Sequence, residues 1–188
     1  VSHCARYIAI ASNKDAGELC VVNASNGSYA SILSSGVPGG VVALAFSFDS
    51  KYLAVLGGDS RHTIYLYNAP NNWGDVTLHW TGESSVADNK FISFVSGGDY
   101  DFVTGDAKEL RWWKIAGRNV MATCVKVQAA GITTLVGVAG TGCVVTGHAD
   151  GVLASWSAPN SMSAVNAAIN APSSESKSNA DASTVEPF

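Results

Sequence analysis

The sequence has 188 residues, of which 47% are hydrophobic and 19 are glycine, and its formal net charge is −4. A slightly acidic chain lacks the excess of positive charge that a phosphate backbone or an anionic membrane surface attracts, so we expect neither nucleic acid nor a membrane as its partner. No apolar run approaches the ~18 residues that cross a bilayer. The many glycines favour an all-β protein rich in turns.

The first unit of the chain is predicted over residues 1–35. Short runs at 6–12, 18–23 and 28–33 favour β-strands, and the pair Asn26-Gly27 is typical of a hairpin turn. We expect this unit either to lack its innermost strand or to hold it within the first few residues.

The second unit, residues 36–83, contains the clearest pattern. Three runs rich in β-branched and aromatic residues cover 41–46, 52–56 and 63–67, and turn residues separate them. The runs are apolar at adjacent as well as alternating positions. This predicts a small antiparallel sheet that is covered on both faces.

The third unit is predicted over residues 84–127 and the fourth over 128–170. In the third, Trp112 and Trp113 would point to opposite faces of one strand, which predicts burial against two neighbouring sheets; a peptide-binding platform is the alternative. Residues 161–170 fit either a weak outer strand or a short helix. Residues 171–188, rich in Ser, Asn and Ala, predict a disordered linker or tail.

The four units repeat a common pattern with a period of roughly 45 residues. A strand is followed by a turn that carries an aspartate and then by a second strand; the aspartates are Asp15, Asp59, Asp106 and Asp150. Such a period with several strands per unit is typical of propeller blades. Seven such blades would take about 315 residues, so we expect the chain to carry about four blades of a larger ring.

The amino-acid sequence of the repeats resembles that of WD repeats, and most closely those of the echinoderm microtubule-associated-protein-like (EML) family. The similarity covers residues 6–157 and is carried by FSFDSKYLA at 46–54, FVTG at 102–105 leading to RWW at 111–113, and VTGHADG at 145–151. The resemblance implies a partial β-propeller of about four WD-type blades, each a four-stranded antiparallel sheet.

The resemblance also implies a function. It points to a non-catalytic scaffold that binds tubulin or microtubule-associated proteins, located in the cytoplasm on the cytoskeleton, with a cilium or flagellum as a narrower location. One alternative is a WD-repeat subunit of an unrelated multiprotein complex. Another is a propeller hydrolase with metal ligands on its inner strands, which the inner strands at 41–46, 91–95 and 132–138 disfavour because they contain almost no ligand residues.

Typical WD repeats hold each blade with a hydrogen-bonded relay of Trp, Ser or Thr, Asp and a His from the loop before the inner strand. The resemblance places Thr, Asp and Trp together in two units: Thr104, Asp106 and Trp113 in the third, and Thr146, Asp150 and Trp156 in the fourth. The loops before the inner strands, at 36–40, 84–89 and 128–131, contain no histidine. We therefore expect an incomplete relay.

No residue is predicted to be catalytic or to bind a cofactor or metal, and no protein-binding residue is assigned. His148 lies near Asp150 and Ser155, but without a nucleophile elbow, so we expect either a structural role or simple exposure on the surface. Asp99, Asp101 and Asp106 lack the alternation of a calcium loop. Cys4, Cys20, Cys124 and Cys143 have no zinc-ligand spacing, and we expect buried free thiols.

Overall fold

The computed structural model describes residues 1–14, 17–84, 88–97, 101–127 and 131–159. In this part of the chain all regular structure is β-strand. The strands are β1 Tyr7–Ala11, β2 Gly17–Asn23, β3 Tyr29–Val37, β4 Val41–Phe46, β5 Tyr52–Gly57, β6 Thr63–Asn68, β7 Thr77–Glu83, β8 Phe91–Phe94, β9 Phe102–Gly105, β10 Glu109–Ala116, β11 Asn119–Lys126, β12 Ile132–Val138, β13 Cys143–His148 and β14 Leu153–Ser157.

The strands form four antiparallel sheets, and in each sheet neighbouring strands are consecutive in the chain. Sheet 1 contains β1–β3, sheet 2 contains β4–β7, sheet 3 contains β8–β11 and sheet 4 contains β12–β14. Sheets 2 and 3 have the expected four strands. Sheet 1 has three strands among the described residues. The segment considered for a fourth strand of sheet 4, residues 161–170, lies outside the described residues, as does the predicted tail at 171–188.

Three apolar cores lie between successive sheets, and strand alternation explains them. On β5, Leu53 and Val55 are buried against sheet 1, whereas Ala54 and Leu56 are buried against sheet 3. Both faces of this strand are therefore covered, as the adjacent apolar residues predicted. At about 1.5–3 kcal/mol for each fully buried large aliphatic side chain, these cores supply much of the stability.

The two tryptophans of β10 separate in the same way. Trp113 lies in the core between sheets 2 and 3, and Trp112 in the core between sheets 3 and 4. Trp112 is completely buried and Trp113 is 4% exposed. The prediction of inter-sheet burial is confirmed, and a peptide-binding platform is wrong for both side chains.

Trp73 is a core residue that the sequence pattern did not identify, because it lies in the loop between β6 and β7. Its side chain is 1% exposed and packs edge-on against Tyr7 and Phe46. Its indole N–H donates to the backbone carbonyl of Ser50 at 3.0 Å. The loop thus folds back and fills the core between sheets 1 and 2.

Gly40, which directly precedes β4, lies against the backbone that follows β1. Its φ is +77°, and a Cβ placed there would lie 2.3 Å from the backbone oxygen of Asn13. Its carbonyl accepts a hydrogen bond from the Gly58 N–H at 2.8 Å. Both the left-handed conformation and the lack of space require glycine at this position.

Candidate protein-interaction surface

Sheet 4 contains a buried relay of polar side chains. The Trp156 indole N–H donates to Thr146 Oγ1 at 2.7 Å, and His148 Nε2 lies 2.8 Å from the same oxygen. Thr146 is fully buried and His148 is 5% exposed. The Thr146 hydroxyl, which can both donate and accept, therefore links the two rings.

The loops before the inner strands contain no histidine, and the histidine that joins this relay comes from β13 itself. His148 follows Thr146 by two residues on β13, so both side chains lie on the same face of the sheet. The histidine that contacts the threonine hydroxyl is therefore a neighbour on the same strand. The signal was visible in the sequence as a Thr-x-His alternation at the end of a predicted strand.

Sheet 3 has a shorter version of the relay. The Trp113 indole N–H donates to Thr104 Oγ1 at 3.0 Å, with both groups buried. The Phe102 ring stacks on Trp113 at 5.6 Å with an interplanar angle of 4°. These contacts make the tryptophan part of the inter-sheet core and not of the surface.

The aspartates of the repeated turns hold their own turns together. The Asp106 carboxylate accepts hydrogen bonds from the backbone N–H groups of Lys108 and Glu109 at 2.6 and 2.7 Å. Asp150 accepts one from the Val152 N–H at 3.1 Å. Asp15, the fourth of these aspartates, lies outside the described residues.

The hydrogen bonds of such a turn also change the pKa of its aspartate, as Asp59 shows. Partial burial would raise the pKa of its carboxyl group, but hydrogen bonds from the Thr63 side chain and from the backbone N–H groups of Arg61 and Thr63 outweigh burial and lower the pKa. The carboxylate is therefore ionised at neutral pH. Its negative charge stabilises the turn between β5 and β6.

A hydrolytic triad does not assemble around His148. Ser155 pairs with Val145 in the register of β13 and β14, whereas Thr146 pairs with Ala154. Because successive side chains alternate between faces, Ser155 lies on the face of sheet 4 opposite to His148. The structural role expected for His148 agrees with its relay contacts.

A metal centre would need several ligand side chains close together in the part of the chain that the structure describes. No group of three His, Cys, Asp or Glu side chains comes together there. Asp99, one of the three aspartates compared with a calcium loop, lies outside that part. Among the same residues, no helix is long and apolar enough to cross a membrane.

The cysteines correct another expectation. All four are free, but Cys4 and Cys124 are exposed, and Cys20 and Cys143 are only partly buried. Their environments nevertheless differ. Hydrogen bonds from the hydroxyls of Ser2 and Ser50 lower the pKa of the Cys4 thiol to about 7, whereas desolvation and the Glu109 carboxylate raise the pKa of Cys124 to about 11.

We expect Cys4 to be the first thiol that iodoacetamide alkylates at pH 7. About half of it is thiolate at that pH, and although a low pKa also weakens the nucleophile, it should react roughly 100-fold faster than Cys124. Time-resolved alkylation followed by peptide mass spectrometry measures both rates in one sample. Ser2→Ala should slow Cys4 alone, and equal rates for Cys4 and Cys124 would contradict the assignment.

A groove lies on the surface where the turns of sheets 2 and 3 meet. It encloses about 380 Å³, and its lining includes the aromatic rings of Tyr52 and Phe94 and the carboxylates of Asp49 and Asp101. The backbone N–H groups of Lys51 and Ile115 donate to these two carboxylates at 3.1 and 2.6 Å. Apolar walls with fixed negative charges suit a positively charged side chain of a protein partner.

Comparison with known proteins identifies the architecture. No protein-family model and no curated protein matches the sequence. Solved structures do match: the crystal structure of the RRP9 WD40 repeats has a TM-score of 0.66 at 18% identity over 85% of this chain. The structure of U3-55K has a TM-score of 0.64 at 19% identity, again over 85% of this chain. The β-propeller domain of Myceliophteria thermophila Cps50 (Swd1) has a TM-score of 0.64 at 12% identity, also over 85%.

The chain has the fold of part of a WD40 β-propeller. The chain covers 47% of each of the first two matched structures and 53% of the third, so it spans about half of their length. Its four sheets are therefore propeller blades, as the repeats predicted. None of the three matched structures is described as an EML protein, and the narrower resemblance to that family stays a prediction.

Proposed function

We propose that this WD40 propeller is a non-catalytic scaffold and serves as a subunit of a multiprotein complex. The observation that carries the proposal is the use of its reactive side chains: His148 and Thr146 are buried in the relay, and the turn aspartates bind their own backbone. These groups stabilise blades. The loops and grooves at the surface remain available to bind a partner, and in a rigid fold they are the usual place for partner recognition.

The groove between sheets 2 and 3 is the surface that we propose for a partner. Its carboxylates are positioned by backbone N–H groups, so their charge is presented in a fixed geometry. The groove aromatics supply apolar contact of the kind that dominates binding energy. A basic or amphipathic segment of another protein fits both properties.

The test compares the partners recovered with two variants in which aspartates are replaced by uncharged asparagine. Asp49→Asn together with Asp101→Asn removes the groove charges but keeps an oxygen acceptor for the Lys51 and Ile115 N–H groups. Asp88→Asn is the control, since Asp88 is an exposed carboxylate that is not among the residues lining the groove and that forms an ion pair with Lys90 at 2.9 Å. After affinity purification from cell extract and cross-linking mass spectrometry, we expect the double variant to lose at least about tenfold of the recovered partner, equivalent to 1.4 kcal/mol.

An unchanged set of partners for the double variant would move the binding surface away from the groove. A cross-link map centred on other loops would do the same. Retention by the Asp88→Asn control is required in either case, because loss there would indicate a nonspecific effect of charge.

Microtubule binding is a narrower proposal that rests on the resemblance to EML proteins. The residues that carry this resemblance are largely buried, among them Leu53, Phe102, Trp113 and His148. They build blades, so they support the fold more than the choice of partner. If tubulin is the partner, an acidic chain should bind through folded surfaces and not through attraction to the acidic tubulin tails.

Co-sedimentation with microtubules tests this proposal. Retention that persists at moderately raised salt is the expected result, because Debye screening mainly weakens long-range charge attraction. Failure to co-sediment would remove tubulin and the proposed cytoskeletal or ciliary location while leaving the scaffold role intact.

A further inference from the structure

The groove between sheets 2 and 3 lies at one end of the core that these two sheets share. Its aromatic residues Phe48, Tyr52 and Phe94 all belong to that core. Asp49, in the turn between β4 and β5, and Asp101, directly before β9, each add a carboxylate. The groove therefore combines aromatic rings with negative charges from two blades.

Each of the two carboxylates is held through one of its oxygens. Asp49 Oδ1 accepts a hydrogen bond from the Ser47 hydroxyl at 2.6 Å. Asp101 Oδ2 accepts one from the Ile115 N–H at 2.6 Å, and the Lys114 ammonium lies 4.0 Å from the same oxygen. An ion pair between two partly exposed side chains at that distance is weak. The contacts in the described part of the chain thus leave the second oxygen of each carboxylate for a ligand.

The opposite end of the same core is closed by an arginine of this chain. The guanidinium carbon of Arg111 lies 6.0 Å from the centre of the Trp113 ring, which belongs to the core. Arg111 Nη2 donates to Glu109 Oε1 at 3.0 Å, and Nη1 donates to the backbone carbonyl of Ser84 at the end of sheet 2. One guanidinium therefore contacts an aromatic ring, a carboxylate and a carbonyl group where the two sheets meet.

Strand β10 relates the two ends of the core. Arg111 and Ile115 are four residues apart on this strand, which at ~3.3 Å per residue separates them by roughly 13 Å. Ile115 donates its backbone N–H to Asp101 in the groove. The groove thus offers the same kinds of partner that Arg111 uses at the other end, aromatic rings and carboxylates. Yet none of the described residues that line the groove is lysine or arginine.

We propose that the groove binds an arginine side chain of a partner protein in preference to lysine. This inference rests on the proposed role of the groove as the partner surface, and it names the side chain that the groove selects. A guanidinium is a planar fork of N–H donors, so it can donate to carboxylates on both blades while its flat face packs on the aromatic rings. A lysine ammonium is a compact and strongly hydrated charge, which gains less from flat rings.

Titration of the full chain with two short peptides tests this preference. The peptides are acetyl-Gly-Gly-Arg-Gly-Gly-amide and the same peptide with lysine in place of arginine, and amide chemical shifts in ¹H–¹⁵N NMR spectra report binding. We expect the arginine peptide to bind with a Kd on the order of 1 mM and to shift the amide signals of Lys51 and Ile115. The lysine peptide should bind at least about fivefold more weakly.

Three variants separate the roles of the charges and the rings. Asp49→Asn together with Asp101→Asn should weaken binding of the arginine peptide at least about tenfold. Asp88→Asn, whose carboxylate is not among the residues lining the groove, should leave the Kd unchanged. Phe48→Leu keeps an apolar side chain but removes a flat ring, so it should reduce the preference for arginine over lysine. The NMR spectrum of each variant also shows whether it is folded.

Equal affinity for the two peptides, or no binding of either, would overturn the arginine assignment. Undiminished binding of the arginine peptide to the double aspartate variant would overturn it as well, because the site would then lie elsewhere. In each of these cases, loss of the partner from the double variant in the affinity purification would still support the groove as the partner surface. The two proposals can therefore fail separately.

Discussion

Replacing Trp112 with alanine should lower the free energy of unfolding by about 3–5 kcal/mol. The side chain is fully buried in the core between sheets 3 and 4, where it lies with Val103, Leu110 and Val144. Alanine would leave a cavity that the backbone of two packed sheets fills only in part. Since a domain has about 5–15 kcal/mol in total, the loss would be a large share of it.

Urea unfolding followed by circular dichroism, at one protein concentration, measures this loss. Leu78→Ala serves as the control, because a half-exposed leucine on an outer strand should change stability by about 0.5 kcal/mol at most. If Trp112→Ala cost no more than the control, sheets 3 and 4 would not share the core described above.

Replacing Thr146 with valine should cost about 2–4 kcal/mol, although the two side chains have nearly the same shape. The hydroxyl contacts both the Trp156 indole N–H and His148 Nε2, so valine removes one partner from each of two rings. A buried polar group that loses its partner keeps its desolvation cost without compensation. The loss would therefore come from hydrogen bonding and not from volume.

Thr104→Val provides the comparison within the same protein. Thr104 is also fully buried, but its hydroxyl accepts from a single ring, Trp113, at 3.0 Å. We expect a loss of about 1–2 kcal/mol there. Equal losses at the two threonines would show that His148 contributes nothing through this contact, and a rise in stability for Thr146→Val would exclude the relay.

The blade architecture could be predicted because it depends on the local sequence pattern of strands and turns. Alternation places Leu53 and Ala54 on opposite faces whatever the surroundings, and the turn residues between strands fix where each strand ends. The burial of Trp112 and Trp113 against different sheets followed from the same geometry. A repeat of roughly 45 residues then indicated how many sheets to expect.

Tertiary contacts explain the errors. Alternation assigns Cys20 and Cys143 to a face, but whether that face is covered depends on a neighbouring blade. Both cysteines lie on faces of sheets 1 and 4 that point away from the cores described above. Trp73 lies in a loop with no periodic pattern, so its place in a core depends on how the loop folds back. The groove is still harder to predict, because Asp49 and Asp101 come from different blades and are brought together only by packing.

The strictly sequential order of strands in every sheet has a consequence for biosynthesis. Each sheet is finished within one contiguous stretch of chain, so its hydrogen bonds form without waiting for distant segments, and little loop-closure entropy opposes them. As the polypeptide leaves the ribosome from its N-terminal end, every new hairpin meets a partner that is already available on the nascent chain. Sheet 1 can therefore act as the template on which the later sheets assemble in turn.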